Sequence, residues 1–492
     1  MSVTIEEKEH ISSSPERDSS SEELAQRIWT DEEELRARWK IDTTVLPLLF
    51  LGLLVFQLDR MNIASALTGG FAQDIRVNQA TINLGNQLMF LAIVVFEIPC
   101  NMLLQKLGPR KWISGQVFTF GLVATLQIFV TNRTGFLVSR WFLGTAESGY
   151  IPGAVYTLST WYRKRELAKR VAILFFGMFG ANALSPILAS GILMLDEKRG
   201  LTGWQWLFML EGLCTMVVAI LLIFVLPGSP DSPAPLLSKG LIRFSPRDQD
   251  ILQGRLAEDD PAKRPGVQGL KLPWKLVRNT LLHYKRWPHY ISTCVVFSTW
   301  SPLTTYTPSI YVSLGFNRTA ANALAAVGAS MALGIVFFFA WLSDRTQKRG
   351  GAVMAAHICY LIVLVIARSL QDRVGIWSRW GLWTVVNAFA VGYHPVHNTW
   401  VQLNCKDPRE RSIAIAMWVM FAISGLMFGT QFFQASDLPF YRNGLRTMII
   451  MVSTGLFFAI VQELVYWHHN RKVRSGTARA IQGEEKPRVY VL

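Results

Sequence analysis

Charge is what this sequence has little of. Of its 492 residues, 17% are Asp, Glu, Lys or Arg, against about a quarter in soluble globular chains. Half are hydrophobic, with 29 Phe and 17 Trp, and mean hydropathy is +0.27. The apolar residues fall in runs, each long enough for a hydrocarbon core of about 30 Å, which roughly 20 helical residues cross. That excludes an ordinary soluble domain. Cysteine is also scarce: Cys100, Cys214, Cys294, Cys359 and Cys405 lie in or beside apolar runs. They form no spaced ligand cluster and no disulfide framework, and read as small buried hydrophobes. There is no phosphate-binding Gly loop, no metal-ligand spacing and no nucleophile elbow. No enzyme class is indicated, and no catalytic residue, metal or cofactor is expected. The net charge of +15 is spread over short loops rather than gathered in a patch, so nucleic acid is not the expected partner. The opening "MSVTIEEKEHISSSPERDSSSEELAQ" has no apolar signal-peptide core.

What is present is a series of candidate membrane spans. The first six fall at about 43–60, 85–105, 112–131, 136–160, 170–193 and 205–226, the next six at about 288–311, 320–341, 351–369, 378–402, 412–433 and 446–467. This predicts an all-α membrane protein of twelve transmembrane helices in two pseudo-symmetric six-helix bundles. The expected division is a disordered cytoplasmic tail over 1–40, a first bundle over 41–226, an inter-bundle segment over 227–287, a second bundle over 288–467 and a cytoplasmic tail over 468–492. Within the Pro-rich segment, "SPRDQDILQGRLAEDD" predicts a short surface helix capped by Ser245. Four short loops, Lys106–Lys111, Arg163–Arg170, Arg345–Arg349 and Lys406–Arg411, hold 14 basic residues. Positive charge favours the cytoplasmic face, which predicts both termini inside. Two sequons, at Asn132 and Asn317, would then face outward beside the membrane, where glycosylation is not expected.

The halves carry a weak repeat. "NMLLQKLGPRKW" follows the second span and "AWLSDRTQKRGG" the eighth, so that Lys106, Arg110 and Lys111 match Arg345, Lys348 and Arg349. Recurrence at one place in each half marks a two-bundle transporter. "DRT" with a trailing basic pair resembles the inter-helix loop motif of the major facilitator superfamily. The first-half copy has Asn101 where Gly is usual and Gln105 where Asp is usual, as in the fungal anion:cation symporters related to allantoate and nicotinate permeases. Closer matches to that branch are "WKIDTTVLPLLFLGLLVFQLDRMNIASA", "FEIPCNMLLQKLGPRKW", "RWFLGTAESGYIPGAVYTLSTWY", "GWQWLFMLEGL" and "SDLPFYRNGL". Departures include Cys100 where Ser is usual and "ISGLMFG" without the Asn often found before its Gly. The resemblance implies the major facilitator fold, a small organic anion and protons as partners, a monomer, and a fungal plasma membrane.

Two acid–base pairs stand out. Asp59 and Arg60 end the apolar run "FLGLLVFQLDR". They are either an interfacial pair reaching water or a proton site beside an anion-binding base. Apolar surroundings bring a carboxyl's proton exchange towards physiological pH, and a guanidinium grips a carboxylate with two parallel hydrogen bonds. Arg140 and Glu147 are seven apart and share a helix face, about 10 Å apart along it. The same pairs resemble organic-anion symporters of the sialin and galactonate-transporter type. That resemblance implies proton coupling at Asp59 and Glu147, substrate binding at Arg60, and a positional or coupling role for Arg140. Glu97, with Asn101 one turn on, reads as helix packing near the basic loop, and is grouped with Arg110, Asp344 and Arg345 as conformational residues. In "VGYHPVHNTW", His394 and Asn398 share a face, and Pro395 is expected to break the helix beside a cavity. "STWSPLTTYTPSIY" reads as a bending gate helix, with Tyr306 a candidate substrate contact. Arg60, Glu147, Tyr306 and His394 are expected around one central cavity. The leading expectation is a proton-coupled importer of a small organic anion. The alternatives are efflux of a metabolite or drug, and a nutrient sensor that does not transport.

Overall fold

The structure, a computed structural model, describes residues 29–238, 240–259, 274–405, 408–475 and 489–492. Most of the expected N-terminal tail, residues 1–28, therefore lies outside the described residues.

The first half comprises α1 (Asp31–Thr68), α2 (Gln79–Leu107), α3 (Pro109–Leu126), α4 (Arg133–Glu147), α5 (Tyr150–Trp161), α6 (Lys164–Ile192) and α7 (Gly203–Val225). A surface helix, α8 (Pro246–Asp259), follows. The second half comprises α9 (Trp287–Ser298), α10 (Trp300–Ser313), α11 (Arg318–Thr346), α12 (Arg349–Leu370), α13 (Ile376–Phe389), α14 (His394–Leu403), α15 (Pro408–Gly429) and α16 (Arg442–Arg474). Among the described residues, eight helices are long and apolar enough to cross a membrane. The remaining passes are α15 and three broken spans, α4/α5, α9/α10 and α13/α14, which brings the passes to twelve.

The breaks follow from sequence. Gly149 takes a φ of +78°, open to glycine at no steric cost, and parts α4 from α5. Thr299 parts α9 from α10. The tenth span stops over 390–393, and Pro395 sits in the first turn of α14, where its missing N–H costs nothing. The fourth pass of each half is thus broken. The halves also meet symmetrically: α2 packs on α15 and α6 on α11, second span against fifth both times, with α1 on α10 between them.

The helix starts show local causes. α1 opens twelve residues before the span edge expected at 43, because Thr30 and Glu33 form a capping box and four acids fill the first turn. The sequon asparagines Asn132 and Asn317 are themselves N-caps, accepting from Gly135 N–H at 2.8 Å and Ala320 N–H at 2.7 Å. Ser245 caps α8 as expected, accepting from Asp248 N–H at 3.1 Å.

At the end rich in Lys and Arg, here the basic end, ion pairs hold α8 and the α5–α6 turn to the start of α1. Lys40 meets Asp248 at 2.6 Å, and Arg163 meets Glu34 at 3.2 Å and Glu258 at 2.9 Å. The buried Arg255 pairs with Glu34 and Glu166. Asp42 accepts from Arg170 at 2.8 Å and from Tyr162 at 2.6 Å. Burial alone would raise the Asp42 carboxyl, but these bonds outweigh it and hold it below the ordinary range. A depressed carboxyl contributes stability above its unfolded value, about 3.9, and loses it only as pH falls through the lower folded value. Asp42→Asn should therefore lower the thermal midpoint at pH 7 through loss of a contact worth on the order of 1 kcal/mol. The gap should be the same at pH 5 and pH 8 in thermal scans. A gap that closed between those values would contradict this reading.

Candidate functional site

The two acid–base pairs come together, but not as neighbours in sequence. Arg60 does not pair with Asp59. It crosses to α4, where its Nε donates to Glu147 Oε2 at 2.6 Å. The Arg60 guanidinium also lies 4.2 Å from the centre of the Phe56 ring, and its side chain keeps 12% exposure against none for Glu147. Asp59, one residue back, points to α7 and accepts from Thr215 Oγ at 3.0 Å. Glu211, one turn before Thr215 on α7, is buried as well.

Arg140 is fully buried. One Nη faces Met89 Sδ at 3.8 Å, and its Nε and other Nη have no hydrogen-bond partner among the described residues. Its position follows from Gly144: a Cβ there would run into the Met89 carbonyl, so α4 lies against α2 only because that residue is glycine. Arg60, Arg140 and Glu147 thus form a small charged cluster in the first half. It holds one spare cation and one carboxylate oxygen, Glu147 Oε1, without a partner among the described residues.

The break in the fourth span, one residue beyond Glu147, is satisfied by neighbouring spans. Gly149 N–H donates to Glu97 Oε2 at 3.3 Å, and Ser148 C=O accepts from Gln116 Nε2 at 2.5 Å. Non-helical backbone at membrane depth needs such partners. Glu97 therefore acts on α5 directly and is not merely packed beside the basic loop, as the sequence suggested. Asn101 bonds within its own helix, giving Nδ2–H to Glu97 C=O at 2.9 Å.

The other predicted residues are dispersed. Tyr306 is 4% exposed and its hydroxyl donates to Asn83 Oδ1. This bond belongs to a seal between the halves at the end away from the basic loops. Asn83 Nδ2 and Gln79 Nε2 each reach Phe433 C=O at 3.0 Å, Asn322 Nδ2 reaches Thr68 Oγ at 2.8 Å, and Arg318 meets Asp196 at 2.7 Å. The bonds described between the halves gather at this end, which is closed. His394 stacks on Phe297 at 4.3 Å and lies 4.4 Å from Trp418. Asn398 accepts from Gln402 at 3.2 Å. Asp344 pairs with Arg349, Arg345 is exposed, and Arg110 donates to Ala234 C=O at 2.5 Å.

A cavity of about 50 Å³ sits between the halves, walled by α1, α6, α10, α11 and α13. Arg60, Glu147, Tyr306 and His394 were expected to surround one cavity, and none of the four lines this one. The ion pair turns Arg60 away, the seal takes Tyr306, and the aromatic clamp holds His394. Their neighbours Met61 and Thr307 do line it, with Ser65, Asn182, Thr304 and Asn387 as further polar contacts. Sequence reading missed these, although Thr304 and Thr307 share a face of "STWSPLTTYTP" and Asn182 lies one turn before Pro186. It also missed a buried network in the second half. His397 meets His289 at 3.0 Å and Thr293 at 3.2 Å, and His289 meets Tyr466 at 3.2 Å. This network ties α9, α14 and α16 together. Among the described residues no group of His, Cys, Asp or Glu is placed to hold a metal ion.

A family model described as Major Facilitator Superfamily matches residues 49–467. An uncharacterized transporter of Saccharomyces cerevisiae, YIL166C, is 25% identical over 444 residues, 90% of this chain and 82% of its own. A putative tartrate transporter of Agrobacterium vitis is 27% identical over 338 residues, covering 68% of this chain and 73% of its own. Among solved structures, a bacterial homologue of the human lysosomal transporter Spinster aligns over 86% of this chain and 96% of its own. The TM-score is 0.63 at 14% identity, a likeness of fold.

Proposed function

The chain belongs to the Major Facilitator Superfamily, and we propose that within it this transporter is a proton-coupled symporter of a small organic anion, with its basic end in the cytoplasm. One observation carries the reading: Arg140 is a fully buried guanidinium with two nitrogens that find no acceptor among the described residues, beside a second guanidinium, Arg60, held by a carboxylate. An isolated buried charge is costly, and an anionic ligand would offset that cost. A relative named as a putative tartrate transporter supports the anion class.

Coupling follows from competition. Glu147 and a substrate carboxylate seek the same guanidinium, that of Arg60. A proton on Glu147 removes its charge and releases Arg60, so proton and anion binding favour each other, and this linkage is reciprocal. Asp59, bonded to Thr215 and to no cation among the described residues, is the second acid on the path of that same proton. Glu97 positions the α5 break beneath Glu147. Tyr306 takes part through the outer seal, and the 50 Å³ cavity beside Met61 is the space that opens for substrate. His394 and Asn398, on α14, lie outside its present lining.

The test is accumulation. Carboxylate vitamins and nitrogen sources would be screened for uptake in a host lacking its own permeases, then re-measured with an uncoupler. Concentrative uptake of the recognised acid should collapse to equilibrium across the membrane. Accumulation that survives the uncoupler would overturn the proton-coupled reading.

A further inference from the structure

The far end of the described chain is bound. Residues 489–492 lie against the basic end of the second half, in a cleft between α12, α14 and α16. Tyr490 is 4% exposed and stacks on Tyr466 at 4.4 Å and 15°. His469 lies 4.8 Å from the same ring, and Lys285 Nζ 5.9 Å from its centre.

Two asparagines read the backbone of this segment. Asn470 accepts from Tyr490 N–H at 2.7 Å and donates to Tyr490 C=O at 2.8 Å. Asn404 accepts from Val491 N–H at 2.8 Å and donates to Val491 C=O at 3.0 Å. Each carboxamide thus presents an acceptor and a donor to one residue, as a neighbouring strand would. Trp400 Nε1 adds a bond to Val491 C=O at 2.9 Å, and Arg349 N–H one to Leu492 C=O at 2.8 Å. Arg349 opens α12, so this last bond satisfies a helix-start N–H that has no partner within its own helix.

These contacts fall on the second helix of a broken span. Trp400 belongs to α14 and Asn404 follows its last residue, while Asn470 and Tyr466 belong to α16 and Arg349 to α12. The segment therefore fastens the half-helix α14 to two unbroken helices. α14 is parted from α13 by four non-helical residues, so its upper end is not held by a continuous helical ladder. The outer end of the molecule is closed in the same structure.

We propose that the cleft between α12, α14 and α16 is a docking site for extended peptide, that its occupant is the chain's own Tyr490–Leu492 segment, and that docking braces α14 and favours the state open at the basic end. The Tyr490 ring supplies the anchor, and the two asparagines set the register. Undocking frees α14 to swing against the first half as the basic end closes.

The test uses the full chain with Tyr490→Ala and, separately, Val491→Pro. The first removes the stacked ring, the second the N–H given to Asn404. Both lie outside the spans, so folding should be unaffected. Hydrogen–deuterium exchange on the purified protein should rise about tenfold in rate over 394–404 in either variant, with α13 unchanged. An added peptide of residues 488–492 should restore protection. In oriented vesicles, half-saturation from the outer face should fall about threefold as the population shifts outward. Unchanged exchange over 394–404 in both variants would overturn the docking site. Raised exchange with no change in the two-sided half-saturation would overturn the brace. The exchange measurement needs no substrate, so it stands apart from whether the transported species is an anion or is coupled to protons.

Discussion

Glu147→Gln should abolish concentrative uptake while leaving exchange intact. The substitution keeps the side chain's size and removes its charge. Glu147 is fully buried and its one described partner is Arg60, at 2.6 Å. A neutral amide no longer competes for the guanidinium, so Arg60 stays released at every pH. Substrate should bind at least as well as in the unsubstituted chain, and its affinity should lose its pH dependence between pH 5 and 8. Exchange of labelled for unlabelled substrate across the membrane should continue. The accumulation ratio, in contrast, should no longer rise with the proton gradient, because no proton needs to accompany the anion. Equal loss of exchange and accumulation would mark Glu147 as a structural partner of Arg60 only.

Arg60→Lys should weaken the substrate carboxylate about tenfold to a hundredfold. Lysine keeps the charge and loses the planar fork that holds two oxygens at once. A charge-assisted hydrogen bond is worth about 1.5–3 kcal/mol, and about 1.4 kcal/mol is a factor of ten. The loss should appear in competition binding with the acid. The amide analogue should bind poorly to the unsubstituted protein and be less affected by the substitution. The flexible ammonium can still reach Glu147, so the fold should survive, and a thermal scan checks that. Unchanged affinity, or equal competition by acid and amide, would remove Arg60 from the binding site.

Much of the fold was legible because membrane spans announce themselves by length and composition, needing no partner to be recognised. The twelve passes, the surface helix capped at Ser245 and the broken tenth span were read from runs, caps and Pro395. The broken fourth span was harder. Its glycine was visible, but the groups that satisfy the break sit far off in sequence: Glu97 is 52 residues from Gly149 and Gln116 32 from Ser148, and they meet only by packing. The cluster shows the same limit. Periodicity places Arg140 and Glu147 on one face, yet no spacing rule says that Arg60 leaves its neighbour Asp59 for a carboxylate 87 residues on. Adjacent residues on a helix point about 100° apart, which is why Asp59 faces α7 and Arg60 faces α4. The docked segment was the least legible. Asn404 and Asn470 look like helix-end residues, and only the fold brings their carboxamides to Tyr490 and Val491.

Proton movement measured together with substrate movement, in vesicles with no imposed gradient, tests the central claim most directly. Adding the recognised acid outside should make the outer medium more alkaline as protons enter with it, and the signal should vanish in Glu147→Gln while labelled substrate still equilibrates. Substrate entry with no accompanying proton signal in the unsubstituted protein would contradict the account.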